Sequence, residues 1–100
     1  RDYVRSETAL LRDEATQKLT EAGIHVYPGH GNFILMEMGN HESLALSIDV
    51  ALREEGISLR RFASPAYDQC LRMTIGRHVE TRTATDAIIR LYYEKREAGA

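Results

Sequence analysis

The chain holds one cysteine, Cys70, among 100 residues. No disulfide can close within it, and zinc sites built from cysteine pairs are excluded. That usage fits a reducing compartment, and a cytoplasmic protein is expected. No apolar run approaches the roughly 20 residues of a membrane-spanning helix, so no membrane partner is expected. Thirteen basic residues against fifteen acidic ones leave a net charge of −2. There is no general basic field, so nucleic acid is not an expected partner. His25, His30, His41 and His78 have no metal-ligand spacing and no acidic pair beside them, so no metal is expected. Gly29-His30-Gly31 lacks the lysine and hydroxyl of a phosphate loop and reads as a turn. The opening Arg1-Asp2-Tyr3-Val4-Arg5 has neither an initiator methionine nor the apolar core of a signal peptide, so the chain reads as a piece of something longer.

What is present is ordinary for a folded domain: 43% hydrophobic and 28% charged residues. A chain of this length makes one domain and is marginal alone, so a partner domain or subunit is expected. Residues 3–22 read as a helix, with Val4, Leu11, Ala15, Leu19 and Ala22 at helical spacing. Gly23 supplies a left-handed stop, and Ile24 its apolar partner. Phe33 to Met38 reads as a largely buried strand, apolar on both faces. Asn40 is a good N-cap for a second helix over residues 41–55, with Leu44, Ala45, Ile48, Ala51 and Leu52 on one stripe. Gly56-Ile57 repeats the stop signal.

Residues 57–62 are expected to form a second strand and residues 70–75 a third, joined by a short loop and therefore antiparallel. A last helix from about 79 to 96 packs through Ala84, Ala87, Ile88 and Leu91. The expected fold class is α+β, in the order α-β-α-β-β-α: a small, mainly antiparallel three-stranded sheet with helices on one face. Met36, Met38, Tyr92 and Tyr93 read as packing residues, and Cys70 as a small packed side chain. Arg5, Arg12, Arg90 and Arg96 read as solvated helix faces.

Arg72 interrupts the apolar run Cys70-Leu71-Arg72-Met73-Thr74-Ile75-Gly76. A guanidinium is planar, always charged and shaped to hold a carboxylate or phosphate with two parallel hydrogen bonds. Strand alternation puts Leu71, Met73 and Ile75 on one face, and Arg72 with Thr74 on the other. In the expected second strand, Ile57 and Leu59 share a face, and Ser58 and Arg60 point away. If the apolar faces meet the helices, Arg60 and Arg72 emerge together on the uncovered side. Two neighbouring cations repel unless an anion sits between them, which favours an anion site.

Gly56-Ile57-Ser58-Leu59-Arg60, a short loop and Leu71-Arg72-Met73-Thr74-Ile75-Gly76 resemble the end of the fold-type I pyridoxal-phosphate aminotransferases. The branch they most resemble is that of the histidinol-phosphate aminotransferases. Gly31-Asn32-Phe33-Ile34-Leu35 is similar to the family's Asn-Phe strand entering the small domain. The resemblance covers nearly the whole chain. It implies that residues 1–100 are a C-terminal small domain, with residues 1–22 as linking helix and the large cofactor-binding domain absent. It further implies that Arg72 holds the substrate α-carboxylate. Arg60 would grip the substrate phosphate or the distal carboxylate of glutamate. Asn32 would sit at the cleft edge with no chemical role. After Gly76 the family has a small hydroxyl residue and an acidic-Asn helix start; of Arg77, His78, Val79, Glu80 and Thr81, only Glu80 keeps that pattern.

Attaching the cofactor needs a lysine amine. The two lysines, Lys18 and Lys95, lie on expected solvent faces of helices, outside the family's serine-to-lysine context. Pyridoxal 5'-phosphate is therefore expected in a full-length parent and not bound to this chain, which would not catalyse alone and carries no catalytic residue of its own. The implied partners are the missing large domain, an anionic small molecule and a second copy of the parent. A threonine-phosphate decarboxylase of similar scaffold would suit the same arginines. From a different class, a stand-alone amino-acid or phosphate-binding regulatory module would also use one open sheet face.

Overall fold

The structure, a computed structural model, describes residues 2–28, 31–39, 42–59 and 69–98. Helix α1 spans Asp2–Glu21, strand β1 His25–Val26, β2 Phe33–Glu37, helix α2 Glu42–Glu54, β3 Cys70–Thr74 and α3 His78–Ala98. The fold is α+β, with one three-stranded sheet in the order β1-β2-β3, antiparallel throughout.

Both glycine stops form as the sequence leads one to expect. Gly23 has φ +93° and Gly56 φ +83°, values that L side chains avoid. At the first stop, the Gly23 N–H donates to the Thr20 carbonyl at 3.0 Å and the Ile24 N–H to the Leu19 carbonyl at 3.0 Å. The second stop repeats this, with Gly56 to Arg53 at 3.0 Å and Ile57 to Leu52 at 2.8 Å. These are paired Schellman bonds, which satisfy the last helical carbonyls. Ile24 and Leu19 are both buried against the core.

The strands differ from expectation in two places. Residues 57–59 form no ladder, and the Ile57 N–H donates to the Leu52 carbonyl in the helix stop. Residues 60–62 of that expected strand lie outside the described residues. Among the described residues the sheet also includes β1, paired to β2 with His25 opposite Glu37 and Val26 opposite Met36. Two residues carry no alternation for a sequence reading to detect. Among the described residues the element order is α-β-β-α-β-α.

β2 and β3 form the main ladder, with Phe33 opposite Thr74, Leu35 opposite Arg72 and Glu37 opposite Cys70. It extends past both ends: Ile75 N–H donates to the Asn32 carbonyl at 2.6 Å, and Met38 N–H to the Gln69 carbonyl at 2.8 Å. Alternation divides the sheet, although Cys70 on the outer face is buried as well. Ile34, Met36, Leu71 and Met73 are buried beneath the helices, with Leu11, Leu19, Ile48, Leu52, Ile88 and Leu91. Each large side chain withdrawn from water contributes about 1.5–3 kcal/mol before entropic costs. The opposite face keeps Phe33 exposed and Leu35 half-buried. β2 is thus covered on one face only among the described residues, not on both.

Ion pairs tie the helices together. Arg82 on α3 makes two hydrogen bonds to Glu14 on α1, at 2.8 and 3.1 Å. Arg90 bonds Glu55, just past α2, at 2.5 Å. Arg12 donates to the Gly31 carbonyl at 2.8 Å, fastening α1 to the turn before β2. Arg12 and Arg90 are therefore struts between elements, not simply solvated. Arg96 lies over the rings of Tyr92 and Tyr93. Tyr92, Met36 and Met38 are buried as expected, whereas Tyr93 stays exposed.

Candidate anion-binding site

Arg72 stands on the helix-free face of β3, flanked by buried Leu71 and Met73, whose side chains point the other way. This is the alternation expected of the strand. Arg72 borders a groove of about 530 Å³ lined also by Ile57, Ser58, Leu59, Thr74, Gly76 and Glu80. The groove runs along the outer edge of β3, between the stop of α2 and the first turn of α3.

α3 begins without a capping side chain at Arg77, whose carbonyl accepts the Thr81 N–H at 2.8 Å. Thr81 compensates: its buried hydroxyl oxygen accepts the Gly76 N–H at 3.0 Å. That bond holds the end of β3 against the start of α3 and closes one end of the groove. Thr85, one turn on, returns its hydroxyl to the Thr81 carbonyl at 2.7 Å.

The groove is mixed in charge. Arg72 supplies a guanidinium, and Glu55 and Glu80 supply carboxylates. Glu55 is engaged by Arg90 and raises its pKa through that hydrogen bond first. A guanidinium held beside an open groove can take a carboxylate through two charge-assisted hydrogen bonds.

Asn32 lies next to this site but contributes through its backbone. Its carbonyl accepts the Ile75 N–H, and its side chain is exposed. Arg60, like residues 61–68, lies outside the described residues. Phe33 is the residue that the sequence reading missed. Its ring centroid lies 5.5 Å from the Arg72 guanidinium carbon. The alternation of β2 already put Phe33 opposite in sense to Ile34. Only the pairing of β2 with β3 brings it beside Arg72, and no local pattern in the sequence signals that pairing.

Glu37, Tyr27, His25 and Cys70 form a second group on the same face. Tyr27 donates to Glu37 at 2.6 Å, and the His25 ring meets Tyr27 edge-on at 4.6 Å. Cys70 is buried, and burial first, then the Glu37 charge, pushes its thiol above the ordinary range. That is a packed thiol, not a reactive one. Among the described residues, no cluster of histidine, cysteine and acid could hold a metal ion, and no helix is long and apolar enough to cross a membrane.

Neither lysine lines the groove. Lys18 is on α1 near Asp86 at 3.8 Å, and Lys95 is near the end of α3. The residues of this chain therefore do not fit covalent attachment of a pyridoxal cofactor.

Fold and site together define an α+β domain that presents a fixed cation to a groove containing no amine nucleophile. The chain belongs to the class I and II aminotransferase family, whose family model matches residues 4–88. It is 38% identical over 88 residues to a histidinol-phosphate aminotransferase of Rhodospirillum rubrum, covering 87% of this chain and 24% of that protein. To a histidinol-phosphate aminotransferase 2 of Dechloromonas aromatica it is 39% identical over 77 residues, covering 77% and 21%. The crystal structure of histidinol-phosphate aminotransferase from Sinorhizobium meliloti in complex with pyridoxal-5'-phosphate has the same fold. It matches with a TM-score of 0.80 at 21% identity, over 93% of this chain and 26% of that one. N-succinyldiaminopimelate aminotransferase from Mycobacterium tuberculosis shares the fold with a TM-score of 0.69 at 23% identity, over 89% and 26%. The chain thus spans about a quarter of the length of the proteins it matches.

Proposed function

We propose that residues 1–100 are the C-terminal small domain of a pyridoxal-phosphate aminotransferase acting between histidinol phosphate and 2-oxoglutarate. In this reading α1 links to a large domain that supplies the lysine and holds the cofactor. The cofactor there provides the electron sink for amino-group transfer. This chain's own part is to bind and orient: Arg72 takes the substrate α-carboxylate, and Arg60 takes a phosphate or the distal carboxylate of glutamate. Asn32 holds the cleft edge through its backbone. The parent is a cytoplasmic homodimer, and the isolated chain neither binds the cofactor tightly nor transaminates.

The observation that carries this reading is the placing of Arg72 on the helix-free sheet face beside an open groove. The names of the relatives favour the histidinol-phosphate branch over a threonine-phosphate decarboxylase. The coverage of about a quarter of their length favours a domain of a larger enzyme over a stand-alone module.

The test is made in the full-length parent. Arg72→Ala raises KM for carboxylate substrates and lowers turnover, because a charge-assisted pair is lost. Arg60→Ala raises KM for phosphate-bearing substrates more than for a simple amino acid. Equal losses with both substrate types count against the histidinol-phosphate assignment, and unchanged kinetics for Arg72→Ala remove it from the site.

A further inference from the structure

We propose that Phe33 is a positioning residue for Arg72, its ring fixing the plane in which the guanidinium meets a carboxylate. This rests on the reading of Arg72 as the carboxylate ligand. Phe33 is 39% exposed at the start of β2, where a core-forming strand would bury so large a ring. Instead the ring lies 5.5 Å from the Arg72 guanidinium carbon, within reach of a cation–π contact.

The contact follows from the sheet. Phe33 pairs with Thr74, and Arg72 with Leu35, so Phe33 and Arg72 are diagonal neighbours on one face. Long and aromatic side chains meet across that diagonal. The diagonal is held from both sides. Asn32, just before the ring, accepts the Ile75 N–H at 2.6 Å, and Gly31 accepts a hydrogen bond from Arg12 at 2.8 Å.

Direction matters as much as distance. Among the described residues, the groove is lined by β3, by the segment after α2 and by the first turns of α3, with none from β2. Phe33 approaches Arg72 from the β2 side, so the ring backs the guanidinium without occupying the groove. An arginine side chain loses rotamer freedom each time it grips an anion. A ring that holds it in place beforehand lowers that cost. Leucine in the same place keeps apolar area but lacks the ring quadrupole that attracts the cation.

The experiment uses the full-length parent, with glutarate as the equilibrium binding probe and L-glutamate as the substrate. Phe33→Leu is expected to weaken glutarate binding and raise the glutamate KM about five-fold, with kcat changed far less. Phe33→Tyr and Phe33→Trp, which keep a ring, restore both. In an Arg72→Ala background Phe33→Leu has no further effect on glutarate binding. Thermal unfolding is followed for each variant, and Phe33→Met replaces Phe33→Leu if the latter folds poorly. Unchanged glutarate binding in the ringless variant, or a loss in Phe33→Tyr equal to that in Phe33→Leu, overturns the inference. If Arg72→Ala weakens binding while Phe33→Leu does not, only the role of Phe33 falls. If Arg72→Ala itself leaves glutarate binding intact, the carboxylate reading falls and takes this one with it.

Discussion

Replacing Gly56 by alanine isolates the cost of a left-handed helix stop beside the groove. Gly56 has φ +83°, and a Cβ placed there meets nothing within 4 Å. No clash contributes, so the penalty is conformational alone. An L-residue in this region costs about 1–2 kcal/mol. Alanine also restricts the unfolded chain, which returns about 0.4–1 kcal/mol. The net destabilisation is therefore about 1 kcal/mol. Gly23, at φ +93° and with the same open surroundings, should behave alike. The two sites end different helices, so the double variant should lose about 2 kcal/mol. Equilibrium urea unfolding of the chain reads these values directly, from a midpoint shift at constant slope. A loss beyond about 3 kcal/mol at Gly56 would require a steric clash that the geometry excludes. A gain in stability would mean the residue is not left-handed, and the paired bonds to Arg53 and Leu52 would be wrong.

The Arg82 hydrogen bond holds the Glu14 carboxyl below its ordinary range. Its folded pKa lies under its unfolded one, so its contribution is present above that range and lost as pH falls through it. Glu14→Gln should therefore flatten the acid limb of the urea midpoint between neutral and acid pH, while an unchanged limb would refute the pairing. Asp49 is 2% exposed and pairs with Arg53 at 3.1 Å, while its second oxygen has no hydrogen-bond partner among the described residues. Arg53→Ala should cost about 1 kcal/mol, since it strands a buried carboxylate whose partner was largely solvated. Asp49→Leu should be near neutral, because acid and desolvation cost leave together. The reverse order in urea unfolding would contradict the burial of Asp49.

The helices were readable because each carries its own signal. The apolar stripe through Leu11, Ala15 and Leu19 and the stops at Gly23 and Gly56 are local, and the structure has them where the pattern puts them. The faces of β3 were readable for the same reason, since Leu71, Arg72 and Met73 alternate within five residues. Pairing was not. β1 is two residues long and exists only because β2 lies beside it. Ile57 to Leu59 has strand-like composition but forms no ladder. Without the pairing of β2 with β3, the ring of Phe33 could not be placed next to Arg72. Arg72 itself stood out because a lone cation in an apolar strand demands an explanation from its own sequence context. Thr81 as the partner of Gly76 N–H was hidden, since the side chain reaches back across five residues from inside the helix.

Calorimetric titration of glutarate into the full-length parent and its Arg72→Gln variant bears most directly on the central claim. Glutamine keeps much of the side chain's length and removes the charge. A hydrogen bond to a charged group contributes about 1.5–3 kcal/mol, so the dissociation constant should rise roughly ten- to a hundred-fold. An unchanged dissociation constant in a variant that unfolds at the wild-type temperature would show that Arg72 does not hold the carboxylate.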